Sequence, residues 1–216
     1  FTRRIEDDLA RRDFTVNAMA YNEARGLVDL FGGRQDLARR CIRCVGDPKT
    51  RFSEDSLRIL RAFRFAAQLG FSIDEATYRA ALALGDTLAR IARERIGVEF
   101  LRLLASPRPG ETLERLAPLF GQVLPGIEVP LERLRQTDRL AADPILRLAF
   151  LLCREREDER FCDLSPGENR REDGAVASAA HSLRLSGEQK QRLARLADLP
   201  SPGRLAAAEA PAVRRW

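Results

Sequence analysis

Asp55, Arg58, Arg61 and Arg64 recur at intervals of three within SEDSLRILRAFRF, residues 53–65. Residues three apart are neighbours on a helix surface, so the four form one polar stripe. The rest of that helix pattern is apolar nearly all round, with Leu57, Ile59, Leu60, Ala62, Phe63, Phe65, Ala66, Ala67 and Leu69. Such a helix is expected to be buried on most sides, where charged groups need partners. A carboxylate only accepts hydrogen bonds and a guanidinium only donates them. Adenine and cytosine present an amino donor beside a ring-nitrogen acceptor on the Watson–Crick edge, whereas guanine and uracil present a carbonyl beside an N–H. An Asp55–Arg58 pair could therefore accept A and C and reject G and U, at about 1–3 kcal/mol for each group left unpaired. Arg61 and Arg64 could neutralise phosphates or brace Asp55. An internal salt-bridge ladder tying two helices together accounts for the same residues.

Three further groupings have chemical potential. Arg12, Asp13 and Asn17, in RRDFTVN, are compatible with one helix face, where Arg12 could hold a triphosphate and Asp13 and Asn17 a ribose. A solvated face with a local ion pair explains them as well. Asp29 stands at the end of a strand pattern before Gly32-Gly33, which would allow close backbone approach to a ligand; a plain turn is the alternative. Arg95 and Glu99 are four apart, as in a helix-stabilising pair. Cys41 and Cys44 have CxxC spacing, but CIRCVG reads as a strand, whose i and i+3 side chains point to opposite faces. That is poor chelating geometry, and His181 is the only histidine. Free thiols are expected, and His181 is expected to be structural or exposed.

The elements that would carry these residues follow from periodicity and breakers. Residues 6–22 predict one helix, 27–31 a short strand, 36–40 a helical turn and 41–45 a second strand closed by Gly46-Asp47-Pro48. Ser53 is expected to cap the helix of the stripe, which Gly70 stops. Further helices are expected over 73–83 and around 97–104, with two or three between 111 and 153, separated near Pro125-Gly126 and Asp143-Pro144. A loop is expected over 163–174, and helices over 187–197 and 204–215. Two strands do not make a stable sheet alone, so their neighbours are expected upstream of Phe1.

The chain has 216 residues, 44% of them apolar, enough for a sizeable core. Its net charge of +5 and pI near 9.5 are weakly compatible with nucleic acid. Lys49 and Lys190 are the only lysines. Arginine suits bidentate phosphate contacts, and a GC-rich genome accounts for the same bias. No apolar run approaches the roughly 18 residues of a membrane span, and no secretory leader is evident, so a cytoplasmic protein with no membrane partner is expected.

The motifs RRDFTVNAMAY, DLFGG, EDSLRILRAFRF and ERIGVEF, in that order, closely resemble the bacterial CCA-adding enzymes and poly(A) polymerases. These are tRNA nucleotidyltransferases of the polymerase-β superfamily whose helical neck templates the incoming base. The resemblance covers about residues 1–104; beyond that the chain resembles the helical body and tail only in being helical. It implies an α+β protein, with the C-terminal part of a nucleotidyltransferase head over 1–50, a templating neck over 51–104 and a tRNA-binding body and tail over 105–216.

The same resemblance implies site roles. Arg12 contacts the nucleotide with Asp13 and Asn17 alongside, and Asp29 and Gly33 join head to neck near the ribose. Leu30 stands where proline is common. Asp55 and Arg58 pair with the base of CTP or ATP, Arg61 and Arg64 complete the site, and Arg95 and Glu99 steady the templating helices. The implied partners are tRNA 3′ ends and nucleoside triphosphates, and the implied cofactor is Mg²⁺. The family's Gly-Gly turn and metal-binding DxD pair are not in this chain, and Asp7-Asp8 does not replace them. Those carboxylates are expected upstream of Phe1, leaving this fragment inactive by itself and the full-length protein active. Addition of CCA is the leading expectation. Poly(A) synthesis, A-only or CC-only addition, and a noncatalytic RNA-binding helical module are the alternatives.

Overall fold

Burial of Leu9 and Phe14, both with no exposed surface, divides the first elements. The computed structural model describes residues 4–24, 26–153 and 170–197, with backbone alone at 170–173. Helix α1 (Ile5–Ala10) carries Glu6, Asp7 and Asp8 in its first turn, where the helix dipole favours acids. Phe14 then runs extended and bridges antiparallel to Cys44. Thr15 N donates to Arg43 O at 2.9 Å, and Val45 N to Asp13 O at 3.1 Å. A 3₁₀ turn (Thr15–Asn17) leads into strand β1 (Met19–Asn22). The single helix expected over 6–22 is thus corrected to helix, turn and strand. Pairing with residues 43–45 outweighs local periodicity, as the β-branched Thr15 and Val16 favour.

Strand β1 pairs antiparallel with β2 (Gly26–Asp29) in the register Met19↔Asp29 to Asn22↔Gly26. Strand β2 is displaced from the expected 27–31 because the Asp29 carboxylate turns back to cap α2 (Gly33–Ala38). Strand β3 (Cys41–Ile42) is shorter than the expected 41–45. It pairs in parallel with a strand that the periodicity did not suggest.

Helix α3 (Pro48–Glu54) begins where Asp47 accepts from Thr50 N at 2.9 Å and Pro48 presets a helical φ. Ser53 lies inside α3 and caps nothing, which corrects the expected start. Asp55 is extended (φ −150°, ψ 102°) and separates α3 from α4 (Leu57–Leu69). Gly70, at φ 65°, ends α4 as expected. Strand β4 (Ser72–Ile73) is the partner of β3, in the register Cys41↔Ser72 and Ile42↔Ile73. Cys44 N also donates to Thr77 Oγ1 at 3.2 Å, so residues 41–44 are stitched to the helical region.

The remaining elements are α5 (Glu75–Ala83, capped by Asp74), α6 (Arg93–Leu104), α7 (Gly110–Leu116), α8 (Phe120–Val123), α9 (Leu131–Gln136), α10 (Pro144–Leu152), α11 (Arg170–Ser182) and α12 (Gly187–Ala197), with 3₁₀ stretches at Gly85–Arg90, Ala117–Leu119 and Thr137–Arg139. Asp143 caps α10 by accepting from Leu146 N at 2.8 Å, with Pro144 in its first turn. Helix α11 begins at Arg170, inside the loop expected over 163–174. Cys162, residues 163–169 of that loop and the helix expected over 204–215 lie outside the described residues.

One apolar cluster runs from Phe14 to Leu196. Helix α4 is its axis, packed against α3, α6 and α7. Phe14, Phe52, Phe63 and Phe100 are essentially unexposed. Each contributes about 1.5–3 kcal/mol by burial, against roughly 0–1 kcal/mol for an exposed ion pair. Packing therefore carries the fold, and the half-buried Arg58 and Arg61 of α4 are available for ligand chemistry. No helix among the described residues is long and apolar enough to cross a membrane.

Candidate nucleotide-binding site

The break at Asp55 separates the stripe's carboxylate from its arginines. Asp55 Oδ1 accepts from Leu57 N at 3.1 Å, and Oδ2 pairs with Arg95 Nη2 at 2.9 Å. Arg58 Nη1 lies 2.6 Å from Glu54 Oε2, and its Nη2 donates to Arg11 O at 3.0 Å. Arg58 N donates to Asp55 O at 3.0 Å, but the two side chains are held by other groups and not by each other, so either side chain can meet a ligand without breaking a mutual pair. Beside Asp55 lies a cleft of about 550 Å³, lined also by Glu54, Thr87, Arg90, Ile91 and Arg95; Arg58 does not line it.

Arg61 and Arg64 form the inner half. Arg61 Nε pairs with Asp13 Oδ2 at 2.6 Å and lies 3.9 Å from Glu99 Oε1 through Nη1. Arg64 Nε meets Glu99 Oε2 at 2.6 Å, its Nη1 donates to Gln68 Oε1, and its guanidinium stacks 3.9 Å from the centre of the Phe65 ring. Arg64 and Glu99 are 7% and 5% exposed, so Arg64 braces the site from below, while Arg61, 31% exposed at its side chain, reaches its surface. The ladder that competed with the nucleotide reading is therefore present, and it runs between α4, α6 and the Asp13 segment.

Asp13, Asn17 and Arg12 come together, though on a turn and not on one helix face. Asn17 Nδ2 donates to Asp13 Oδ1 at 2.7 Å. Arg12 Nη1 donates to Asn17 O at 3.0 Å and Nη2 pairs with Asp8 Oδ2 at 3.2 Å, leaving the Arg12 side chain 45% exposed. Asp29 accepts from Gly33 N at 2.8 Å and Arg34 N at 2.9 Å. Burial pushes the Asp29 carboxyl up, but the amides of Arg34, Gly33, Phe31 and Gly32 outweigh it and hold its pKa below the usual range. A Cβ on Gly33 would meet Thr15 O at 2.3 Å. Asp29 thus caps α2, and Gly33 lets that helix lie close against the 3₁₀ turn.

Arg95 and Glu99 do not pair with each other, which corrects the expected i,i+4 bridge: Arg95 reaches Asp55 and Glu99 reaches Arg64. Each has a better-placed partner off its own helix, Arg95 at the α3–α4 break and Glu99 on α4. Sequence reasoning passed over Glu54, which holds Arg51 at 2.9 Å as well as Arg58. Its place four residues before Arg58 was the available signal. Hydrogen bonding to Arg58 holds the Glu54 carboxyl below its usual range against a small burial effect. Cys41 and Cys44 are free thiols, and burial pushes the Cys44 thiol up to about 12. His181 is exposed.

Arg11, Arg12, Arg51, Arg58, Arg61, Arg64 and Arg95 outnumber the carboxylates that face them, which suits a polyanionic ligand. No group of three or more His, Cys, Asp or Glu that could hold a metal ion occurs among the described residues. The described residues thus offer hydrogen-bonding carboxylates and an excess of guanidinium groups, without a cluster of metal-ligating side chains.

Residues 1–43 match the family described as the Poly A polymerase head domain, and residues 70–131 the family described as a probable RNA and SrmB-binding site of polymerase A. The chain is 40% identical over 173 residues to a CCA-adding enzyme of Anoxybacillus flavithermus, covering 76% of this chain and 43% of the relative. It is 44% identical over 163 residues to a CCA-adding enzyme of Geobacillus thermodenitrificans, covering 75% and 39%. The chain thus spans less than half the length of these relatives. Among solved structures, the CCA-adding enzyme of Bacillus stearothermophilus in complex with CTP superposes with a TM-score of 0.71 at 30% identity, over 94% of this chain and 50% of that one.

Proposed function

We propose that this chain, a member of the family of CCA-adding enzymes and poly(A) polymerases, forms the nucleotide-selecting part of a tRNA nucleotidyltransferase that adds C, C and A to tRNA 3′ ends from CTP and ATP. The observation that supports this reading is that Asp55 and Arg58, three residues apart at the α3–α4 break, have side chains held by other groups and not by each other. Asp55 accepts the amino proton of cytosine or adenine, and Arg58 donates to the adjoining ring nitrogen. Glu54 and the Arg11 carbonyl hold Arg58 in that pose, and Arg95 holds Asp55. A carbonyl facing Asp55 leaves two acceptors opposed, at a cost of about 1–3 kcal/mol. Arg12 and Arg61 meet the phosphates, Asp13 and Asn17 lie beside the ribose, and Arg64 with Glu99 supports Arg61.

The family implies Mg²⁺, which would lower the barrier to phosphoryl transfer. The carboxylates described here do not fit such a site, so no step of the transfer is assigned to them. The 216 residues by themselves select nucleotide without joining it to RNA. The segment 70–131 and the helices after it would hold the tRNA, in keeping with the RNA-binding description of its matching family. That match also favours the second reading, a noncatalytic RNA-binding module, which predicts salt-sensitive tRNA binding with no nucleotide affinity.

Incubating full-length protein with tRNA lacking CCA and one triphosphate at a time tests the proposal. Incorporation of CTP, and of ATP after two cytidines, supports CCA addition. Repeated ATP incorporation alone would favour poly(A) synthesis, and GTP or UTP incorporation equal to CTP would refute protein-templated selection.

A further inference from the structure

Helix α6 is clamped on two opposite faces. Successive residues of an α-helix turn by roughly 100°, so positions two apart lie about 200° round the axis and positions four apart share a face. Arg95 and Glu99 share one face and hold Asp55 and Arg64. Arg93 and Gly97 share the opposite one. Arg93 Nε donates to Ser182 O at 2.9 Å and Nη1 to Gln122 O at 2.7 Å, and Nη2 donates to Val123 O. One guanidinium thus satisfies carbonyls at the C-terminal ends of both α8 and α11, where helix dipoles favour a cation. Gly97 packs so closely on the turn after α11 that a Cβ would lie 2.1 Å from Leu183 O, a backbone atom that cannot swing away. Arg184, in the same turn, meets Glu94 at 3.3 Å.

We infer that Arg93 and Gly97 are positioning residues for base selection: the seating of the C-terminal end of α11 and the turn after it against one face of α6 sets the pose of Asp55 and Arg64 through the other. This rests on the reading of Asp55 as the base-selecting carboxylate. Neither residue touches Asp55, Arg58, Arg61 or Arg64, so a change at either acts through the seating of α6. A shift of α6 moves Arg95 and Glu99 together, and with them the carboxylate that faces the base and the arginine beneath it.

The test uses the 216-residue chain and three variants, Gly97→Ala, Arg93→Gln and Arg93→Lys. CTP and UTP dissociation constants are measured for each. Amide exchange at Leu57, whose N–H donates to Asp55, is measured relative to Thr77, whose N–H donates to Asp74. Gly97→Ala and Arg93→Gln are expected to reduce the preference for CTP over UTP about three- to tenfold and to speed Leu57 exchange relative to Thr77. Arg93→Lys, which keeps the charge but can reach fewer carbonyls, is expected to lie between. If Gly97→Ala fails to fold, the two Arg93 variants carry the test. A purely structural role would lower the melting temperature and speed both amides alike. Folded variants with unchanged CTP preference and unchanged relative exchange would overturn the inference. A parent chain with no CTP preference would overturn the nucleotide-selecting function instead, while the exchange ratio still decides whether α11 docking reaches Asp55.

Discussion

Arg64 Nε and Glu99 Oε2 lie 2.6 Å apart with both side chains at least nine-tenths buried, locking α4 to α6 beneath the candidate site. Removing one partner of a buried pair strands the other charge, at about 3–5 kcal/mol. Glu99→Ala is therefore expected to destabilise the chain by about that amount, and the double variant Arg64→Met/Glu99→Met to recover most of it. Urea denaturation of the single and double variants checks this. Equal losses in both would show that the pair, and not the stranded charge, supplies the stability.

Arg61 pairs with Asp13 at 2.6 Å. Asp13→Ala removes the anchor of Arg61 and the acceptor for Asn17. Affinity for CTP and ATP is expected to fall alike, by about 1–3 kcal/mol for a charge-assisted contact, with the preference over UTP kept. Isothermal titration with the triphosphates reads both quantities.

Glu54 holds Arg58 at 2.6 Å, which on the proposed reading fixes the pose of that guanidinium. Glu54→Gln weakens the hold on Arg58 while leaving Asp55 and Arg95 in place. Preference for CTP over UTP is expected to fall several-fold, with little change in the melting temperature, since the Glu54 side chain is exposed and Gln keeps its shape. Competition binding with the four triphosphates measures it.

The Asp29 cap on α2 has a pH signature. Its folded-state pKa lies below the ordinary value of 3.8, so the stabilisation is present above the unfolded value and is lost as pH falls through the folded one. The chain is expected to lose stability below about pH 4, and Asp29→Asn to lose less over the same interval. Urea midpoints between about pH 3 and 6 test it.

The Cys44 thiol, buried and raised to about 12, carries almost no thiolate at neutral pH. Thiol-specific reagents are expected to leave Cys44 unmodified in the folded chain and to label it on denaturation. Peptide mapping after pulse labelling decides the matter.

How far the sequence could be read follows from where each signal resides. Gly70 as a helix stop, the helix over 187–197 and the break at Asp143-Pro144 are local chemistry, and the structure keeps all three. Asp47-Pro48 was legible as a turn, yet the same pair starts α3, which leaves Asp55 at a break and not in a helix. Strand β4 and the Phe14–Cys44 bridge depend on partners 31 and 30 residues away in sequence, Cys41↔Ser72 and Phe14↔Cys44, so no local periodicity announces them. The stripe was visible because its spacing is regular. Its partners Asp13, Glu99 and Arg95 were visible only as separate motifs, since an ion pair between elements leaves no spacing to read.

The most direct test of base selection compares CTP, ATP, GTP and UTP binding by the parent chain and by Asp55→Asn, which keeps the shape and gives the side chain a donor. The parent is expected to bind CTP and ATP at least about tenfold more tightly than UTP and GTP, and the variant to lose that preference. Equal binding of all four nucleotides by the parent, or an unchanged preference in Asp55→Asn, would contradict the account.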